Sequence, residues 1–462
     1  MSFINRNKKL SDKDIMLGDP KTAIYATVLP FFISAIFSQV NMLADIGWCS
    51  GLGSDYISAI QTVTPIYWVI FDVGLGIGLG CNVVISRRIG EGNTAGAQKI
   101  ISQGTVLAVI IALVFAPLMF LLIDPMMYWM DASVLAEMSK SYMIPVLLCN
   151  VFQVLSPTLS GFLRGEGAST KSNYALIVGV IVNIVLDPIL IYGLGLGVMG
   201  AGIATAMSSV VSSVIMIYLY LSNRTYLKMS LKGYRFDAKE VKEIMFIGIP
   251  KMMEMFFMDI LDAMNRVFLI SCGGIDAVTL FTVPFRLIML SVMIPNSFAM
   301  SLTPVSSANI GAKRPDKSVI AFRLCMKMGL IISVILMVTY VVFADYLIVP
   351  FIQSESMIPL KPDLVDILRV DVILIPAMGF SFICNAMLQS MRKPVLAMIV
   401  TTMRTGLTTL MLFLLCGTTV LYMCVGMVCA ATVAAVLGFV FTQIKISDML
   451  RANCPLHHPD GQ

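Results

Sequence analysis

Charge is what this sequence lacks most. Charged residues make up 13% of its 462 positions, against about 25% in ordinary soluble domains, too few to cover a water-soluble globule of this length. Histidine is nearly missing as well. His457 and His458 are the only two, and both lie in a polar tail, which excludes a membrane enzyme built on a histidine-ligated metal. None of the ten cysteines forms a Cys-x-x-Cys pair. Most sit inside apolar runs (Cys81, Cys149, Cys384, Cys424, Cys429), where they read as small buried hydrophobes. Cys49 and Cys272 fall near outer helix ends, which leaves a bridge open without arguing for one. The 35 methionines form no tight cluster at a charged mouth and read as core filler. Residues 1–20 are polar and charged throughout, so no cleavable signal peptide is expected. A net charge of +5 is too small to point to nucleic acid.

Apolar residues are what is present. They reach 58%, with a mean hydropathy of +0.88, so lipid must cover much of the chain. A helix crossing the bilayer takes about 20 residues. In the first half, apolar stretches recur near 22–48, 58–86, 101–123, 141–163, 173–195 and 199–221. In the second half they fall near 243–271, 276–309, 320–349, 364–390, 395–416 and 419–443. The positive-inside rule tests this threading independently. With the N-terminus inside, 25 of the 32 basic residues fall in inward segments, Lys140 and Lys361 fall outward, and five lie inside spans. The sequence therefore predicts an all-α polytopic membrane protein with twelve transmembrane helices and both termini in the cytoplasm.

The chain also repeats itself. Leu29-Pro30 opens the first span as Ile249-Pro250 opens the seventh, and Ile89-Gly90 closes the second as Ile310-Gly311 closes the eighth. Residues 222–242, polar and basic, form a linker between the halves. The expected plan has a cytoplasmic tail (1–21), a six-helix lobe (22–221), the linker, a second six-helix lobe (243–444) and a second tail (445–462). Six spans per half place the pseudo-two-fold axis along the membrane normal, the plan of a transporter with its path between two bundles.

An ionisable residue at mid-bilayer costs about 2.5–3.5 kcal/mol by insertion scales. Asp45, Asp72 and Asp187 lie in spans of the first half, whereas all five intramembrane bases (Lys251, Arg266, Arg286, Arg369, Arg404) belong to the second. The first bundle thus holds acids with no fixed countercharge of its own, and such acids are protonated or bound to a cation. Asp45, Asp187 and Thr205 fall at similar depth, and Asn183 shares a helix face with Asp187 at i and i+4. Two carboxylates, an amide and a hydroxyl are ligands for sodium, or a setting for a shared proton. A structural hydrogen-bond cluster is the alternative. Pro188 frees the carbonyl of residue 184, a further oxygen. Span seven carries a second constellation. Lys251, Glu254, Asp259, Asp262, Asn265 and Arg266 fall within an arc of about 140° at 100° per residue. Its surplus acid reads either as a substrate or second cation site (Glu254, Asp259, Asp262) or as a self-neutralising stripe. Arg286, Arg369 with Asp371, and Arg404 read as pairing or interfacial residues.

These residues resemble the multidrug and toxic compound extrusion (MATE) family over roughly 20–445. The most specific stretch is Asn183-Ile-Val-Leu-Asp187-Pro188, followed by Tyr192-Gly193-Leu-Gly195 and Gly200-Ala-Gly202-Ile-Ala-Thr205. Ile89-Gly90-Glu91-Gly92 and Leu163-Arg164-Gly165-Glu166-Gly167 look like the family's cytoplasmic loops. The resemblance implies a plasma-membrane antiporter, not an enzyme, that exports organic and often cationic compounds against inward proton or sodium flow. It implies no cofactor beyond the coupling ion and a monomer as the working unit. The family's cation site maps onto Asp45, Asn183, Asp187 and Thr205, and Pro30 matches a proline where the first helix can bend. One departure concerns span seven. Many members carry a glutamate several residues after its proline, whereas counting from Pro250 reaches Met258 and then Asp259, with Glu254 earlier. A lipid-linked oligosaccharide flippase of the same superfamily shares the plan but calls for a cation-lined cavity. A passive channel calls for a symmetric filter, and no such repeat occurs.

Overall fold

The computed structural model describes residues 11–130, 132–230, 232–352 and 358–453; the two histidines lie outside them. Among the described residues there is no strand. The first half comprises α1 (Asp12–Leu17), α2 (Pro20–Ser50), α3 (Ser54–Gly90), α4 (Thr94–Trp129), α5 (Ala136–Leu148), α6 (Asn150–Gly165), α7 (Ser169–Pro188) and α8 (Gly197–Leu221). The second comprises α9 (Ala238–Gly311), α10 (Pro315–Ile348), α11 (Lys361–Asp371), α12 (Leu374–Ser390), α13 (Pro394–Leu414) and α14 (Val420–Asn453).

Among the described residues, ten helical stretches are long and apolar enough to cross a membrane, or eleven when α5 and α6, bent by 56° at their junction, count as one span. The span expected near 243–271 is helical too, as the opening of α9. Lys251, Glu254, Asp259, Asp262 and Arg266 make it too polar to qualify by composition. At 74 residues, α9 would reach about 110 Å as one straight rod, far beyond a hydrocarbon core of about 30 Å. It turns at Gly274, whose φ of +65° suits a residue without a Cβ, and its second span opens at Asp276.

Local chemistry sets the helix starts. Asp19 accepts from the Thr22 N–H at 3.1 Å and Pro20 takes the first helical position of α2, where its missing N–H costs nothing. Asn93 caps α4 by accepting from the Gly96 N–H at 2.8 Å.

The chain divides into two compact units, Met1–Met252 and Met253–Gln462. In the first, α3 packs on α4 and α6, and α7 packs on α2 and α8. The segment between α8 and α9 is fastened to α4, and the first turns of α9 to α3. Arg88 pairs with Glu240 and, at 2.6 Å, with Glu243, and Lys99 pairs with Asp237. Gln103 donates to the Arg235 carbonyl at 2.6 Å. Lys171 holds α1 through Asp12 at 2.6 Å. In the second unit, α14 packs on α12 and α13, and an apolar core gathers Leu368, Ile375, Leu412, Met423 and Cys424.

One sequence expectation changes here. Arg369 pairs with Asp345 at 3.0 Å and Asp366 at 3.7 Å instead of Asp371. Asp371 is fully buried beside Cys424. Cys49 is a free thiol, while Cys416 is disulfide-bonded.

Candidate functional site

Four elements of the first unit converge. Asn183 and Asp187 sit one turn apart on α7, each 2% exposed. The turn Ile189–Gly193 after them is wider than an α-turn, since Pro188 cannot donate to the carbonyl of residue 184. From α2, Asp45 comes beside Asp187. Asn41, one turn before Asp45, donates to its Oδ2 at 3.1 Å. Asn183, its amide oriented by its partners, donates to Asp45 Oδ1 at 3.0 Å and accepts from the Thr205 N–H at 3.2 Å. Thr205 thus joins through its backbone, and its hydroxyl meets Tyr142 OH at 3.5 Å. A Cβ on Gly202 would come within 2.2 Å of the Tyr142 carbonyl, so the missing side chain lets α8 carry Thr205 against α5.

The four residues singled out in the sequence therefore meet, and two more join them. Asn41 was readable as the i−4 neighbour of Asp45. Tyr142, whose hydroxyl meets that of Thr205, carried no such signal, because aromatics are common in spans. Pro30 lies within α2, fifteen residues before Asp45, and the helix continues through it.

The chemistry follows from what is not there. Among the described residues no ion pair reaches Asp45 or Asp187, and Asp187 Oδ2 is buried with no hydrogen-bond partner. A hydrogen bond between two carboxyl groups needs one proton. Without it, two adjacent negative charges need a cation between them. Among the described residues no three His, Cys, Asp or Glu side chains cluster as a metal site, so any ion here would be held by two carboxylates plus neutral oxygens.

The span-seven constellation separates. Glu254 is 3% exposed and accepts from Asn385 Nδ2 at 3.1 Å. Asp259 and Asp262 are exposed, and Asp262 pairs with Arg266 at 2.9 Å. Asp262 thus pairs along its own helix, and Glu254 also joins a buried network with α12. Asn385 also donates to Thr401 Oγ1, and Gln389 donates to Asn385 Oδ1. Arg404, expected to pair or lie at an interface, is 6% exposed, and its Nε and Nη2 have no hydrogen-bond partner.

Helical units carrying acids between packed helices are the build of a multi-pass membrane transport protein. Known proteins agree. The MatE family profile matches residues 30–189 and 250–415, and the chain belongs to that family. It is 27% identical over 338 residues to the "Multidrug export protein MepA" of Staphylococcus saprophyticus, covering 71% of each chain. It is 24% identical over 368 residues to the protein of the same name from Staphylococcus aureus, covering 78% of this chain and 80% of that one. Among solved structures, a MOP superfamily transporter from Pyrococcus furiosus, described as having a binding pocket of reverse polarity, superposes with a TM-score of 0.91 at 28% identity, covering 96% of this chain and 100% of that one. A multidrug resistance MATE family transporter in an outward-facing conformation gives 0.90 at 28% identity, covering 96% and 99%.

Proposed function

We propose that this transporter is a secondary antiporter that exports organic compounds, cations among them, across the plasma membrane in exchange for protons or sodium. The observation that carries the reading is the Asp45–Asp187 carboxyl pair on α2 and α7, Asp187 buried and Asp45 half-buried, with no ion pair to either among the described residues. Such a pair differs by about one charge between loaded and empty states, enough to bias two conformations of a transporter. Asn183, Asn41 and the Thr205 backbone hold the pair in place, and Pro30 gives α2 a point at which to bend. Both termini and the segment between α8 and α9 face the cytoplasm in this reading, following the distribution of Lys and Arg. The lobes are 22–221 and 243–444, joined by 222–242. A monomer suffices, because the whole cation site is built from one chain. The multidrug names of the relatives support export of chemically varied cargo.

The flippase alternative loses support from the bases. A pyrophosphate calls for several cations together, whereas Arg369 is tied to Asp345 and Asp366 and Arg286 is exposed.

The test is purified protein in liposomes, with sodium or proton gradients imposed separately and export of a cationic dye followed by fluorescence. Uphill dye movement under one gradient and none without it is expected. Dye movement that only follows its own gradient would show a channel.

A further inference from the structure

The segment between α8 and α9 carries positive charge that the first unit leaves unanswered. From residue 222 to residue 243 the sequence holds six bases (Arg224, Lys228, Lys232, Arg235, Lys239, Lys242) and three acids (Asp237, Glu240, Glu243). The structure sorts them by side. Each acid is turned inward onto a base of α3 or α4: Asp237 and Glu240 meet Lys99, and Glu240 and Glu243 meet Arg88. All six bases are exposed, and none has an ion pair among the described residues.

Hydrogen bonds to the backbone fix the depth of this face. Ser102 donates to the Ser230 carbonyl at 2.9 Å. Gln103, 1% exposed, donates to the Arg235 carbonyl at 2.6 Å and accepts from Tyr234 OH at 3.0 Å. Lys99 is the last charge on α4 before Asp124, so Ser102 and Gln103 stand where its apolar run begins. The chain between residues 230 and 235 therefore lies at the level of lipid headgroups. Further along α4, Ile110, Leu113, Val114, Leu118 and Leu121 are exposed, a face for lipid tails. Phe236, next to Arg235, is 66% exposed. An open aromatic ring among bases at this depth is the composition of an interfacial anchor.

We propose that this segment docks on the bilayer surface by binding anionic phospholipid headgroups, with Lys232, Arg235, Lys239 and Lys242 supplying the charge and Phe236 entering the interface. Each base near an anionic surface adds about fivefold to the attraction. The inward ion pairs serve the same end, because they remove the acids that would repel the headgroups. The inference stands apart from the direction of transport and from the coupling ion.

Phe236→Trp reports the contact in the full-length protein, reconstituted in vesicles of phosphatidylcholine and phosphatidylglycerol in equal parts. Bromine is carried on the acyl chains of one lipid or the other, so surface charge stays the same and only the quenching lipid changes. The signal of Trp48, Trp68 and Trp129 is subtracted with wild type. Brominated phosphatidylglycerol should quench the added tryptophan at least about twofold more than brominated phosphatidylcholine, and the excess should collapse at about 1 M salt. Replacing Lys232, Arg235, Lys239 and Lys242 together by Gln should abolish it. Ala238→Trp, also at an exposed position, is the reporter if Phe236→Trp does not fold. Equal quenching by the two lipids, quenching by neither, or an excess that survives salt or the fourfold variant would overturn the docking. Inorganic phosphate added at constant ionic strength should leave the excess unchanged, and its loss would make the segment a site for free phosphate instead.

Discussion

The two units solve the problem of polar groups in a membrane in opposite ways. In the first, Asp45 and Asp187 face each other with amides and hydroxyls around them, and no ion pair among the described residues reaches either. In the second, the acid Glu254 accepts from Asn385, which also donates to Thr401 on α13 and accepts from Gln389. The first arrangement is complete only with a mobile proton or cation. The second ties its acid into a network of amides and a hydroxyl. In the proposed function the first site is the one whose charge changes with ion loading. The contrast also explains why a profile of intramembrane acids alone would mislead, since Asp259 and Asp262 are exposed and Glu254 is not.

The contrast can be broken by mutation. The largest stability effect is expected from Asn385→Leu in the second unit, which removes the donor to Glu254 and strands Gln389 and Thr401. Losing hydrogen bonds to a buried charge costs about 2–4 kcal/mol, a fall in Tm measurable by thermal unfolding in detergent. Asp187→Asn in the first unit should cost far less stability, since the amide preserves shape and hydrogen bonding. A Tm fall as large as that of Asn385→Leu would mean that the pair is as structural as the second cluster.

The next effect sharpens the pH behaviour of the first unit. Glu166, just past α6, accepts from the Leu227 N–H at 2.9 Å, while its other oxygen is buried with no partner. Burial pushes its carboxyl from the usual 4.5 up to about 8, against the smaller opposing pull of the Leu227 hydrogen bond and of Lys171, with Asp12 adding to the rise. Between those values the folded state keeps a proton that the unfolded chain releases, so stability falls as pH rises from about 4.5 to about 8. Glu166→Gln should flatten Tm against pH over that window. An unchanged slope would place the titration elsewhere.

The smallest effect belongs to the exposed part of α9. Asp262→Asn breaks a solvent-facing pair with Arg266, worth about 0.5 kcal/mol or less. Cationic dye binding should stay at its wild-type value, whereas a large loss would return Asp262 to the cargo site.

How much of this was legible beforehand follows from sequence distance and helix geometry. Asn183 and Asp187 are one turn apart, so their shared face could be read directly, and depth counted along three spans brought Asp45 and Thr205 to the same level. The role of Thr205 was only half legible, because it contributes its backbone N–H to Asn183 as well as a hydroxyl facing Tyr142. Periodicity around α9 grouped Glu254 with Asp259 and Asp262, but which part of a helix is covered depends on neighbours it cannot name. The partners of Glu254 lie more than a hundred residues away on α12 and α13. Arg369 illustrates the same limit: Asp371 was near in sequence, and Asp345 on α10 is near in space.

In the proposed function the Asp45–Asp187 pair couples transport to an ion. The most direct test sets wild type beside Asp187→Asn in matched liposomes, measuring cationic dye binding and gradient-driven dye accumulation on the same preparations. The variant should bind dye as wild type does and accumulate none against its gradient. Accumulation at the wild-type rate by Asp187→Asn would contradict it and make the pair a structural contact.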